Sequence, residues 1–334
     1  MIEGPRAARI DELPDVVSLS NGVFSPDGRA DMGTMFPLLF SETNIENLRI
    51  FVDEGRPIAL SGMTIHELSL GDTEVRAACI GSVCTRDDHR GQGLAARLVD
   101  DCMAVAADRG ASLVLVSGGR GLYRRMGCID AGLFTVIRVE RNSRLPPVSC
   151  RVREWTDADV PEMEALYRRE PVRFVRAPGE MLRLLRSRSL HARPGRTWVV
   201  RVGERTAAYL CVSGPDGKTG PGVLVTREIA GSRHAVLAAA GRIIDASGAE
   251  CMDIEVPSSD AEMELLAAAF GCARRPTGMH GTLKIIDPSE FSAAPEMAPE
   301  DLAALVFGSV EREAPRARPD VLPLPLPCYG LNYI

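Results

Sequence analysis

The sequence predicts a mixed α+β chain: two similar units in tandem, then a short proline-rich extension. Three observations lead there. At about 150 residues per domain, 334 residues with 45% hydrophobic content make room for two cores. A strand, loop, helix and strand in succession occupy residues 74–116, the pattern of a crossover between parallel neighbours. A weaker copy of that succession returns at residues 223–256.

The elements follow in order. Asp11 and Pro14 open a helix that runs to about Phe24, because Asp caps and Pro is tolerated in a first turn. Leu48 to Glu54 and Pro57 to about Leu68 form a hairpin around the polar tip Asp53-Glu54-Gly55-Arg56. After a turn at Gly71-Asp72, Glu74 to Cys84 is apolar on both alternating faces, as a central strand must be. Leu94, Leu98, Cys102, Val105 and Ala106 recur every three or four residues, so one helix face ends at Arg109-Gly110. A buried strand at Leu113 to Val116, a short helix at Leu122 to Met126 and a strand at Ala131 to Glu140 complete the unit. Asn142 to Ser149 reads as a linker. The expected domains are therefore 1–145, 146–288 and a tail at 289–334.

In the second unit, Val223-Leu224-Val225-Thr226 parallels Val83-Cys84-Thr85 and is followed by a helix from His234 to Ala246. A strand follows at Cys251 to Val256, then a helix from Asp260 to Phe270 that stops at Gly271. Thr85 to Gly110 spans 25 positions and Thr226 to Gly248 spans 22, so this alignment removes three residues and the glycines from the second copy. Only the first copy keeps a loop able to carry chemistry.

Composition narrows the function. The formal charge is −6, and of 39 cationic residues only Lys218 and Lys284 are lysine, leaving 37 arginines. No block of like charge marks a nucleic-acid arm, so no nucleic-acid partner is expected. Nine dispersed cysteines without a CxxC pair fit a reducing, cytoplasmic chain with no metal site. Neither a signal peptide nor an apolar run of about 18 residues is present, so no membrane partner is expected. A homo-oligomer remains compatible with all of this.

Between central strand and long helix lies Thr85-Arg86-Asp87-Asp88-His89-Arg90-Gly91-Gln92-Gly93-Leu94-Ala95-Ala96. Glycines allow close approach, and a helix start offers unpaired N–H groups and partial positive charge, so the loop suits a pyrophosphate. Gly91-x-Gly93-x-x-Ala96 also fits the dinucleotide fingerprint. However, five polar residues separate it from the strand, and the next strand runs into Ser117-Gly118 instead of an acid. No GxxxxGK[ST] string supports phosphoryl transfer.

Read from Arg90, the string Arg-x-x-Gly-x-Ala resembles the acyl-CoA loop of the GNAT acetyltransferase superfamily, over roughly residues 5–141. The resemblance implies two tandem GNAT-like domains, each a mixed, mostly antiparallel sheet flanked by helices, with acetyl-CoA as co-substrate. It also implies that Val83, Cys84 and Thr85 offer main-chain groups to the pantetheine arm and oxyanion. Arg90, Gly91, Gln92, Gly93, Leu94, Ala95 and Ala96 would grip the diphosphate, with Gly118 and Gly119 lining the cofactor path. Gly121-Leu122-Tyr123-Arg124-Arg125-Met126-Gly127 looks like that family's late motif and makes Tyr123 the general acid; the alternative is a tyrosine that merely packs its ring. Cys84 invites a nucleophile reading, against which stand its strand position and the lack of a paired His.

The base is less marked. Ala77, Ala78 and Cys79 are uncharged and Glu74 lies far along the strand, leaving His66, Glu67 and His89 as candidates. The tandem plan with Ser117 to Tyr123 is similar to the enhanced-intracellular-survival type of acetyltransferase, in which the terminal carboxylate is the base; that makes Ile334 a catalytic candidate. Residues 289–334 are too short for that type's sterol-carrier-like domain, which leaves a helix near Glu300 to Phe307 and the tail Leu322 to Ile334. Alternating prolines keep this tail extended, and its aromatic finish favours docking, either as base or as packing alone. The function expected is N-acetyl transfer to a small-molecule or peptide amine. Two other readings stay open: a non-catalytic acyl-CoA sensor, or a transferase similar to mycothiol synthase.

Overall fold

A computed structural model of the chain describes residues 1–214, 222–291, 298–310 and 323–334; of the tail, Leu322 lies outside the described residues. The first half runs β1 (Glu3–Ala7), α1 (Leu13–Phe24), α2 (Met32–Met35), β2 (Leu48–Asp53), β3 (Arg56–Leu70), β4 (Thr73–Thr85), α3 (Leu94–Asp108), β5 (Leu113–Val116), α4 (Gly121–Arg125) and β6 (Phe134–Glu140). The second runs β7 (Arg151–Glu154), α5 (Val160–Tyr167), β8 (Val172–Val175), α6 (Glu180–Ser187), β9 (Gly195–Val202), β10 (Arg205–Ser213), β11 (Val223–Gly231), α7 (Arg233–Ser247), β12 (Cys251–Pro257), α8 (Ala261–Ala269), β13 (Ala273–Thr277), β14 (Thr282–Ile285) and α9 (Pro299–Phe307). Asp260 caps α8, its side chain accepting from the Met263 N–H.

Two mixed sheets result, in the order β1-β2-β3-β4-β5-β14, with β8 also on β3, and β13-β6-β12-β11-β10-β9-β7. Both faces of β4 and β5 are covered. Ala77, Cys79, Leu113 and Leu115 pack into the core beneath α1 and α9, and Ala78, Ile80, Val114 and Val116 into that beneath α3. This is why their sequences alternate so little.

The sheets do not respect the boundary expected at 145/146. The strand at Phe134–Glu140 pairs with β12 and β13 in the second sheet, whereas β8 and β14 complete the first. A periodicity argument assigns a strand to its neighbours in sequence, and here the partner lies across the chain.

The parallel ladders also shift the alignment of the two copies. Ala77–Ile80 pairs with Leu113–Val116, and Val223–Thr226 pairs with Cys251–Ile254, so Ile80 corresponds to Thr226. Fourteen positions then separate Ile80 from the start of α3 at Leu94, whereas seven separate Thr226 from the start of α7 at Arg233. The second copy has lost the whole of the glycine loop, not three residues of it.

Candidate active site

The site begins where β4 leaves β5. Their ladder ends at Ile80 and Val116, with the Ser117 N–H donating to the Ile80 carbonyl, while β4 continues beside β3 to Thr85. Between Gly81 and Cys84 the register slips, so Ser82 and Val83 together face Ser61. Such a bulge turns the strand and re-aims its groups. Ser82 sits in the left-handed region at φ 50°, and its hydroxyl shares a 2.7 Å hydrogen bond with that of the fully buried Ser20 on α1. A strained residue held this way is characteristic of working sites.

The loop that follows is built for an anion. Gly91 and Gly93 take φ 81° and 73°, a conformation open to glycine, and Gly93 precedes α3. From Gly91 through Ala96, six consecutive main-chain N–H groups have no acceptor among the described residues; the first turn bond is Arg97 N–H to the Gly93 carbonyl. These donors and the helix dipole suit a diphosphate. Arg90 reaches Asp87 at 2.7 Å across an exposed surface, a pair of little energetic weight.

Two cavities meet here. One, of about 650 Å³, runs along Val83 to Thr85 and the loop, touching Arg90, Gly91, Gly93, Leu94, Ala95 and Ala96. Exposed Gln92 does not line it, although its N–H is one of the six free donors. The other, about 240 Å³, has apolar walls from Met32, Phe36 and Tyr333. Phe24, Val83, Arg120 and Tyr123 border both. Of the two glycines assigned to the cofactor, Gly118 lines the smaller cavity and Gly119 neither.

Tyr123 is buried at the junction, one ring edge against Gly118, and no described residue hydrogen-bonds its hydroxyl. Burial raises its pKa above the ordinary tyrosine value, partly opposed by the charge of Arg120. The phenol is therefore a protonated donor with no partner among the described residues. Cys84 is a neutral thiol at pH 7, pushed up to about 12 by burial.

Of the histidine and acid candidates, His89 lines the larger cavity and none lines the smaller one. His66 is buried against Phe174 and Thr64, and burial first, then the charge of Arg176, lowers its pKa to about 4. Glu67 pairs with Arg76 at 2.6 Å, and His89 lies between Asp88 and Asp53 at 2.7 and 3.6 Å. What arrives instead is the tail. A Cβ added to Gly81 would stand 2.5 Å from both the carbonyl carbon and oxygen of Ile334. Among described residues, the Ile334 carboxyl is the one carboxylate lining the smaller cavity.

Sequence reasoning missed what surrounds that tail. Tyr333 stacks on His191 with ring centroids 4.3 Å apart, and Ala192 closes the smaller cavity. His191 and Ala192 are both left-handed, at φ 53° and 60°. A loop of the second unit thus lines the site of the first. Among the described residues no group of three His, Cys, Asp or Glu side chains could hold a metal ion, and no helix is long and apolar enough to cross a membrane.

Residues 5–129 match the model of the acetyltransferase (GNAT) domain. Solved structures share the fold across most of the chain. A GCN5-related N-acetyltransferase from Anabaena variabilis ATCC 29413 superimposes with TM-score 0.65 and 16% identity, covering 87% of this chain and 74% of that one. A conserved protein of unknown function from Enterococcus faecalis V583 gives 0.64 and 14%, covering 87% and 73%. Eis1 from Mycobacterium abscessus gives 0.58 and 16%, covering 86% and 74%. No curated protein matches the sequence.

Proposed function

We propose that this chain, whose residues 5–129 match the acetyltransferase (GNAT) domain, is an acetyl-CoA-dependent N-acetyltransferase with a single working site, in the first unit. One observation carries the reading. A cavity lined by five of the six residues whose N–H groups have no described acceptor meets a second, smaller cavity at a phenol with no described partner, and the smaller cavity's one carboxylate among described residues belongs to Ile334.

The free N–H groups of Gly91 to Ala96 hold the diphosphate, and the edge of β4 at Val83 to Thr85 takes the pantetheine arm as an added strand would. The neutral acceptor amine attacks the thioester carbonyl, and the Ile334 carboxylate takes the one proton its nitrogen sheds as the C–N bond forms. A main-chain N–H near Val83 or Cys84 meets the oxyanion. As the C–N bond forms and the C–S bond breaks, Tyr123 gives its proton to the leaving sulfur. The solvent returns that proton to Tyr123 and removes the one from Ile334.

The small, apolar-walled cavity suits an amine whose remainder is small and apolar. Nine free cysteines accord with a reducing, cytoplasmic setting. Extending the chain by one glycine after Ile334 tests the base directly. Turnover of an amine panel, read as released CoA thiol, should fall at least a hundredfold while CoA affinity by calorimetry stays unchanged. Full turnover would remove Ile334 from the mechanism.

A further inference from the structure

The second unit's counterpart of the working cleft is not empty of function. Beyond Thr226, β11 leaves β12 just as β4 leaves β5 beyond Ile80, and two residues past each ladder stand Glu228 and Ser82. In that second wedge lies a buried ion pair. Arg176 reaches Glu228 through two hydrogen bonds of 2.5 and 2.9 Å, both side chains being 5% exposed. The Tyr209 hydroxyl donates to the same carboxylate at 2.7 Å, and the guanidinium lies 3.9 Å above the Tyr167 ring.

The pair also hydrogen-bonds the tail. The Leu331 N–H donates to Glu228 Oε2 at 3.1 Å, and Arg176 Nε donates to Asn332 Oδ1 at 2.9 Å. Gly330, at φ 53°, passes so close that a Cβ there would overlap Glu228 Oε2. Four residues beyond Gly330, Ile334 meets Gly81 in the other unit. A buried charge pair is costly to assemble and is weak evidence for stability in itself. Here it hydrogen-bonds Leu331 and Asn332 and packs against Gly330, with Tyr333 alone between them and the proposed base.

We propose that Arg176 and Glu228 are positioning residues: the second unit's vestigial cleft is a clamp that presents the Ile334 carboxylate to the acceptor amine. The proposal rests on Ile334 being the base, so its test has one readout that does not. Asn332→Leu removes the hook and leaves the ion pair intact. It should raise the rate at which a carboxypeptidase releases Ile334 from the native protein at least tenfold. The same variant should lower kcat at least tenfold while moving the KM for acetyl-CoA less than twofold. Glu228→Gln should do likewise, and in the protein already extended by one glycine it should lower kcat no further, since a clamp with no base to place has nothing left to lose.

Unchanged carboxypeptidase release in both variants would overturn the clamp, as would kcat losses that multiply with the extension. Turnover that survives the extension would instead remove Ile334 as base, while the carboxypeptidase rates would still report whether the clamp holds the tail.

Discussion

Tyr123 is held in place yet has no described hydrogen-bond partner, and that combination sets what it can do. A general acid contributes roughly a hundredfold or more, so Tyr123→Phe should lower kcat by about a hundredfold and leave the KM for acetyl-CoA nearly unchanged. The pH profile carries a sign. Because burial raises the folded-state pKa of Tyr123, the acid form persists above the ordinary tyrosine range, and kcat should hold its plateau through pH 10 instead of falling there. A decline centred below pH 10 that the Phe variant lacks would contradict the assignment. This residue was legible because a local string surrounds it. Arg176 and Glu228 were not: 52 positions apart, one after an edge strand and one inside a buried strand, they carry no local mark that they meet.

At the scale of elements, the proposed cofactor binding falls to a strand end and a helix start. Gly91 has open space where a Cβ would go, so Gly91→Ala costs only the left-handed backbone, about 1–2 kcal/mol. Calorimetry should show CoA affinity weakened about tenfold with the melting temperature barely moved. Gly81 is the opposite case. Its φ lies outside the left-handed region, yet a methyl there collides with the Ile334 carboxyl. Gly81→Ala should therefore cut kcat tenfold or more and leave CoA affinity intact; equal losses in both would show that β4 itself had been distorted. The crossover, its helix and its glycines could be read from periodicity and turn chemistry, and α3 falls where its apolar stripe put it. The bulge at Ser82 could not, since nothing in Gly81-Ser82-Val83 tells a continuous strand from one that slips by a residue. The second copy's alignment failed for a related reason: short valine-rich strings match in several registers, and only the parallel ladder chooses among them.

At the scale of the molecule, the chain is tied across its own midpoint by three strands and the tail. β6 belongs to the far sheet, β8 and β14 return to the near one, and the tail runs from the core at Leu326 and Tyr329 to the cluster at Leu331 and back to Ile334. Duplication was visible in the sequence, but exchange was not, because strand partners are chosen by three-dimensional closure that no local pattern encodes. The consequence expected is that the proposed site cannot be cut free, even though the family match ends at residue 129. In a fragment of residues 1–145, β5 would lose β14 and become an edge strand with fully buried apolar side chains on both faces, and β6 would have no partner at all. Gly81 would face solvent where Ile334 now lies. The fragment should sediment as an aggregate and give no heat on titration with CoA, whereas the whole chain should unfold in one cooperative transition followed by circular dichroism. A soluble fragment that binds CoA within a few-fold of the whole chain would mean that the exchanged strands decorate a self-sufficient domain, and the second unit's hold on the site would then reduce to the tail alone.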